Sequence, residues 1–205
     1  MDYNIRRWYV QEAYKSLESF LLENKGKFQL LNCANFSGVS KHGIHPIIKK
    51  VYPFAKVISH HSEDMCNSTY KDNFLDMVMS EWVLEHVRKA WEVPKEIYRI
   101  LKPTGLCYML TSFVYPVHMD KECGDYLRFT EDGLKILFES AGFKTIEVNS
   151  WGSSYINYYI DLNKYEDTPK HIISEIEKRL DEELIHPEKL YHHKNAFSVW
   201  GFFQK

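Results

Sequence analysis

His118 follows the end of an apolar, strand-like run from Gly105 to Phe113 and is trailed by Asp120 and Asp125, which could set an imidazole to take a proton from a hydroxyl. Asp125, Tyr126 and Arg128 stand close behind it. An arginine fork suits two-point contact with an anion, so these three could hold the hydroxyls or a phosphate of a bound molecule. Plainer roles use the same residues: His118 can cap or pack its loop, and Asp125 with Arg128 can form an ion pair that fixes it. His86 lies one helical turn past Trp82, where it can point back toward the same region or bond to a neighbouring loop carbonyl. Ten histidines, among them His42/His45, His60/His61 and His192/His193, raise the question of a metal. Adjacent histidines need not point the same way and no carboxylate sits at His-Glu-x-x-His spacing, so no metal site is expected.

The stretch that must position these groups runs from Asp72 to Phe143. In Leu75-Asp76-Met77-Val78-Met79-Ser80-Glu81-Trp82-Val83-Leu84-Glu85-His86-Val87, an apolar run closes on Ser80-Glu81 and passes into a helical pattern. A buried strand thereby delivers polar groups to the start of a helix, where open α/β sheets hold ligands.

The Leu75-Asp76 strand, the Glu81-to-Val87 string, Glu96-Ile97-Tyr98-Arg99-Ile100-Leu101-Lys102-Pro103-Thr104-Gly105 and Ala141-Gly142-Phe143 together resemble the second half of a class I S-adenosylmethionine-dependent methyltransferase of the type 11 kind. Leu75 stands where that family has Phe, and Thr104 where it has the first Gly of Leu-Lys-Pro-Gly-Gly. The resemblance implies a Rossmann-like, doubly wound α/β sheet, mostly parallel with an antiparallel C-terminal strand. It also implies S-adenosylmethionine as methyl donor, S-adenosylhomocysteine as product, and a small-molecule or saccharide acceptor methylated at oxygen. The Pro116-x-His118 and Asp125-Tyr126-x-Arg128-Phe129-Thr130 pieces resemble a subset associated with sugar or surface-polysaccharide loci.

By the same resemblance the cofactor lies beside Asn32, Ala34, Gly38, Glu63, Asp64, Met65, Ser80, Glu81 and Trp82, while His118, His86, Asp125 and Arg128 serve the acceptor. The family's acidic residue and Gly-x-Gly-x-Gly fall on Asn32, Ala34, Phe36 and Gly38, so only the last glycine is kept. A side chain where the backbone must approach a ligand costs about 1 kcal/mol or more, or diverts the loop. A second reading follows: a catalytically inactive, methyltransferase-shaped binding or scaffold protein.

The 205 residues suit a single domain, 1–205, with an N-terminal helix within 1–27 and an aromatic and helical insertion at 150–194 before the last strand. With 26 basic and 28 acidic side chains the net charge is -2, so no basic field for nucleic acid or anionic membrane is expected. No signal-like or membrane-spanning apolar run occurs, and Cys33, Cys66, Cys107 and Cys123 are widely spaced, which predicts reduced thiols in a cytoplasmic protein. The aromatic residues Trp151, Tyr155, Tyr158 and Tyr159 could wall an acceptor pocket, fill a core or cover a homodimer surface.

Periodicity predicts a helix over Val10–Leu22 with Ala13, Leu17, Phe20 and Leu21 on one face, and a strand over Phe28–Ala34. A short helix is predicted near His42–Lys50 and a strand over Phe54–Ser59. Between Ser59 and Asp64 there are too few residues for the family's next helix and separate third strand, so His60, Glu63 and Asp64 stand where its ribose and adenine acids would be. A helical pattern broken by Pro94 covers Trp82–Leu101, with Lys102-Pro103-Thr104-Gly105 as its stop. Thr130 is placed as the N-cap of a helix over Glu131–Ser140. Lys144–Val148 and Ala196–Phe203 read as strands, and Pro169–Leu184 as a charged amphipathic helix.

Overall fold

The computed structural model describes residues 5–37, 43–60, 64–118, 124–157, 169–184, 187–191 and 194–205. Gly38, His42, His61, Glu63, Asp120, Cys123, Tyr158, Tyr159, His192 and His193 lie outside the described residues.

Six strands form one sheet: β1 (Asn32–Asn35), β2 (Lys56–Ser59), β3 (Leu75–Glu81), β4 (Leu101–Ser112), β5 (Lys144–Trp151) and β6 (Ser198–Gln204), in the order β2-β1-β3-β4-β6-β5. The first four run parallel, and β6 is antiparallel to both its neighbours. This is the expected doubly wound sheet with its reversed last strand. Flanking the sheet among the described residues are helices α1 (Ile5–Glu23), α2 (Ile44–Val51), α3 (Val93–Ile100), α4 (Glu131–Glu139) and α5 (Lys170–Leu184).

Successive strand residues point to opposite faces, which divides the core in two. Cys33, Met77, Met79, Tyr108, Leu110, Trp200 and Phe202 pack with α1 and α2 on one face. Ala34, Val78, Cys107, Met109, Val199 and Phe203 pack with α3 and α4 on the other. The predicted stripe of α1, Ala13, Leu17, Phe20 and Leu21, is buried in the first of these. Burial on both faces explains why β3 and β4 read as continuous apolar runs.

The chain passes from β2 to β3 without an intervening strand, so β2 ends the sheet among the described residues, as the short spacing after Ser59 requires. Thr130 caps α4 as predicted, accepting the Gly133 N–H at 3.0 Å. Three local expectations are corrected. The first strand begins at Asn32 rather than Phe28, pinned there by Asp76, whose carboxylate takes the Leu31 and Asn32 N–H groups. The helix expected over Trp82–Leu101 is two single 3₁₀ turns, Leu84–His86 and Ala90–Glu92, followed by α3. Trp82 sits at φ 58°, which no helix continues through, and Pro94 suits only the first turn of one.

The expected stop at Lys102–Gly105 is instead a bulge inside β4, where the partners of Leu75 and Met77 jump from Leu101 to Leu106. Thr104 occupies the left-handed region there, at φ 68°. Its side chain is exposed, and its backbone N–H and C=O are held by Lys205 and Gln204. Thr104→Gly should therefore stabilise the protein, because relief of left-handed strain of about 1–2 kcal/mol exceeds the roughly 0.5–1 kcal/mol of added chain entropy. A rise of a few degrees in a thermal melt is expected, and a fall would show that the threonine side chain contributes more than its strain.

Candidate active site

The carboxyl ends of the parallel strands bring Asn35, Ser59, Glu81 and Ser112 to one edge of the sheet. Open α/β sheets bind ligands at this edge. On the β1–β2 side, Asn35 accepts the Ser37 N–H through Oδ1 at 3.1 Å, and Ser37 Oγ accepts the Glu81 N–H at 2.6 Å. The buried Asn35 Nδ2 and its register neighbour's hydroxyl, Ser59 Oγ, have no hydrogen-bond partner among the described residues.

Glu81 turns its carboxylate toward the start of α2. Oε2 accepts the Tyr14 hydroxyl and Oε1 lies 3.4 Å from the Ile44 N–H, while a Cβ on Gly43 would overlap Oε1. Gly43 is thus the residue that lets this carboxylate close on the helix N-terminus, a favourable place for negative charge. Burial nevertheless pushes the Glu81 carboxyl above its usual range, and the bonds from Tyr14 and Ile44 offset that only in part. No basic side chain among the described residues pairs with it.

The other residues expected at the cofactor are spread more widely. Ala34, Met65 and Ser80 are interior on the α3 face, where Ser80 Oγ contacts Met65 Sδ at 3.7 Å. Phe36 is buried among them and stacks on His60, ring centroids 5.1 Å apart, while His60 Nε2 meets the Tyr70 hydroxyl at 2.7 Å. Asn32 opens β1, at the opposite end of that strand from Ser37, which corrects its expected place at the ligand edge. Asp64 is exposed and closes its own turn by accepting the Cys66 N–H at 2.7 Å. Trp82 donates its backbone N–H to the Leu110 carbonyl and sets its ring edge-on to Phe197, centroids 5.7 Å apart.

On the β3–β4 side the structure gathers His86, His118, Asp125 and Arg128 into one constellation. The His118 N–H donates to Asp125 at 2.9 Å, and its ring Nδ1 lies 3.2 Å from the Pro116 carbonyl and 3.3 Å from Asp125. His86 Nδ1 lies 2.7 Å from the Gly124 carbonyl. Both contacts are to oxygens that accept, so the neutral form of each ring carries its proton on Nδ1 and a lone pair on Nε2. The two rings meet edge-on at 4.7 Å, and Tyr115 and Phe197 continue the aromatic wall.

The alternatives left open for Asp125 and Arg128 resolve toward the loop. Asp125 is buried and takes both ends of the Arg128 guanidinium, whose remaining N–H groups go to the carbonyls of Tyr115, Pro116 and Leu127. Arg128 has thereby committed its five donors and keeps none for an acceptor. Its guanidinium, with help from the His118 N–H, holds the Asp125 carboxyl down at about 2. Asp125 thus holds His118, and Arg128 holds Asp125.

Glu85 escaped the sequence reading. It is fully buried, its carboxylate accepts the hydroxyls of Thr111 and Ser112 at 2.7 Å each, and its backbone carbonyl receives the N–H groups of Tyr126 and Leu127. The available signal is an acidic residue enclosed by apolar ones in Val83-Leu84-Glu85-His86-Val87.

The model of a family described as a methyltransferase domain matches residues 41–109. Among solved structures, a protein described as a sarcosine dimethylglycine methyltransferase from Galdieria sulphuraria superposes with a TM-score of 0.58 at 14% identity, covering 95% of this chain and 86% of its own. A methyltransferase structure from Bacillus halodurans C-125 gives 0.55 at 13% identity, over 93% and 99% of the two chains. The [4+2]-cyclase SpnF gives 0.52 at 12% identity, over 93% and 80%. No curated protein matches. Sheet order, the reversed last strand and the ligand edge define a class I methyltransferase fold. The segment matched by the methyltransferase-domain model runs from just before α2 into β4, and the chain is similar to these methyltransferases in fold.

Proposed function

We propose that this chain transfers a methyl group from S-adenosylmethionine to a hydroxyl oxygen of a small or saccharide acceptor. The observation that carries the reading is His118, oriented by Asp125 and the Pro116 carbonyl, its Nε2 without a partner among the described residues, just beyond the carboxyl end of β4.

The described residues fit the cofactor. Glu81 offers a buried carboxylate without a cationic partner, which suits the ammonium of the methionine part. Asn35 Nδ2 and Ser59 Oγ, on adjacent strand ends, have no partner among the described residues and suit ribose hydroxyls. When bound, the cofactor supplies an electrophilic methyl group. The chain's own contribution is alignment and a base: His118 Nε2 accepts the hydroxyl proton, and Trp82, Tyr115 and Phe197 exclude water from that side. Fold alone does not choose this chemistry, since SpnF shares the fold and is described as a cyclase.

The second reading, a non-catalytic binding protein, draws on Phe36, whose ring is buried against His60 and Met65 in place of a glycine of the resembled loop. A thermal melt with S-adenosylmethionine and S-adenosylhomocysteine separates the two. Ligand at about 100 times its Kd adds about 2.7 kcal/mol, or roughly 5–11 °C for a chain of this size. Such a shift, reduced in Glu81→Gln, supports the methyltransferase reading; no shift at millimolar ligand leaves the binding-protein reading in front.

A further inference from the structure

We infer that Glu85, His86 and His118 form a binding site for a divalent transition-metal ion, with zinc as the fitting probe. One ligand atom from each of the three lies within 4.8 Å of the others. Two independent features say that this proximity is organised for a cation.

The first is the state of the imidazoles. His86 gives its Nδ1–H to Gly124 and His118 gives its Nδ1–H to Pro116 and Asp125, which leaves the Nε2 lone pairs available, and neither Nε2 has a partner among the described residues. Metal-binding histidines are held in this way, the far ring nitrogen donating to a carbonyl or carboxylate that fixes tautomer and orientation. The second is the state of the carboxylate. Glu85 is buried, yet among the described residues its oxygens receive only the neutral hydroxyls of Thr111 and Ser112. The nearby cation, Arg128, is already spent on Asp125. A buried carboxylate ordinarily has a paired charge or a metal, and no basic side chain among the described residues forms an ion pair with this one.

Two imidazoles and one carboxylate form a borderline donor set that suits zinc, iron(II) or cobalt(II) better than magnesium, and three protein ligands leave a position open for substrate or water. Ligands about 2.0–2.1 Å from zinc stand roughly 3.4 Å apart in a tetrahedron, so closure asks for side-chain movement of about an ångström. Glu85 is anchored at the end of β4, and the partly exposed histidines supply that movement. The consequence for catalysis rests on the methyl-transfer reading: with the ion bound, His118 is a ligand, and the ion takes over the task of lowering the acceptor hydroxyl's pKa.

The test is metal binding itself, read without turnover. Chelator-treated full-length protein is titrated with zinc by calorimetry and with cobalt(II) by visible absorption. A single saturable site with a tetrahedral or five-coordinate cobalt spectrum is expected, weakened at least about tenfold in His86→Ala and in His118→Ala. Glu85→Gln should do the same; should that variant fail to fold, the two histidine variants decide. Uptake that is absent, or unchanged in the His86→Ala/His118→Ala double variant, overturns the site, since the remaining histidines would then account for it. Cluster-dependent zinc binding without methyl transfer keeps the site and removes the catalytic reading, whereas methyl transfer by metal-free protein that binds no zinc does the reverse.

Discussion

His118→Ala is expected to lower kcat for methyl transfer by roughly 10²–10⁴, the range that loss of a positioned general base or of an ion replacing it produces. The affinity for S-adenosylmethionine should stay nearly unchanged. The Asn35, Ser59 and Glu81 groups proposed for the cofactor lie at the ends of β1, β2 and β3, whereas His118 follows β4 and contacts Pro116, Asp125, Tyr115 and His86. The loss should therefore fall on kcat with the donor KM preserved, which is the signature of an interaction made mainly in the transition state. A matching loss of donor binding would mean that the loop after β4 supports the cofactor instead. Retained kcat would remove His118 from the chemistry.

Much of this arrangement was legible because buried strands and amphipathic helices write their period into the sequence. The α1 stripe and the apolar run closing on Ser80-Glu81 are both found where periodicity puts them, and the short interval after Ser59 correctly excludes an added strand among the described residues. The segment after Glu81 was less legible. Val83, Val87, Trp91, Ile97, Ile100 and Leu101 look helical together, but the left-handed backbone at Trp82 is invisible to periodicity and delays the helix until Val93. That delay has a structural result. A 3₁₀ turn at Leu84–His86 places Glu85 under the end of β4 and His86 against the Gly124 carbonyl.

Side-chain partnership was the least legible property. Asp125 and Arg128 are spaced as an ion pair or as an acceptor clamp, and sequence alone cannot count how many carbonyls remain within reach of the guanidinium. Three do, which turns both residues inward. Glu85 has the same explanation. Acidic residues are almost never fully buried without a partner, so its burial had no local sign beyond its apolar neighbours.

Removing one half of the inward pair should be the costliest change to stability at this site. In Arg128→Met the buried Asp125 carboxylate keeps its charge but loses both guanidinium bonds, and the carbonyls of Tyr115, Pro116 and Leu127 lose their donors. Breaking a buried pair from one side costs about 3–5 kcal/mol, which for a chain of this length is a fall of roughly 6–20 °C in Tm. Asp125→Asn in the same background should recover part of the loss, because it removes the stranded charge. The pair also fixes the sign of the acid response. The Asp125 carboxyl is lowered from 3.8 to about 2, so its contribution is fully present above pH 3.8 and is lost as the pH falls toward 2. Melts of the parent and of Arg128→Met should therefore differ most at neutral pH and converge on acidification. A constant difference down to pH 2 would show that Arg128 acts through its carbonyl bonds alone, with no contribution from the charge on Asp125.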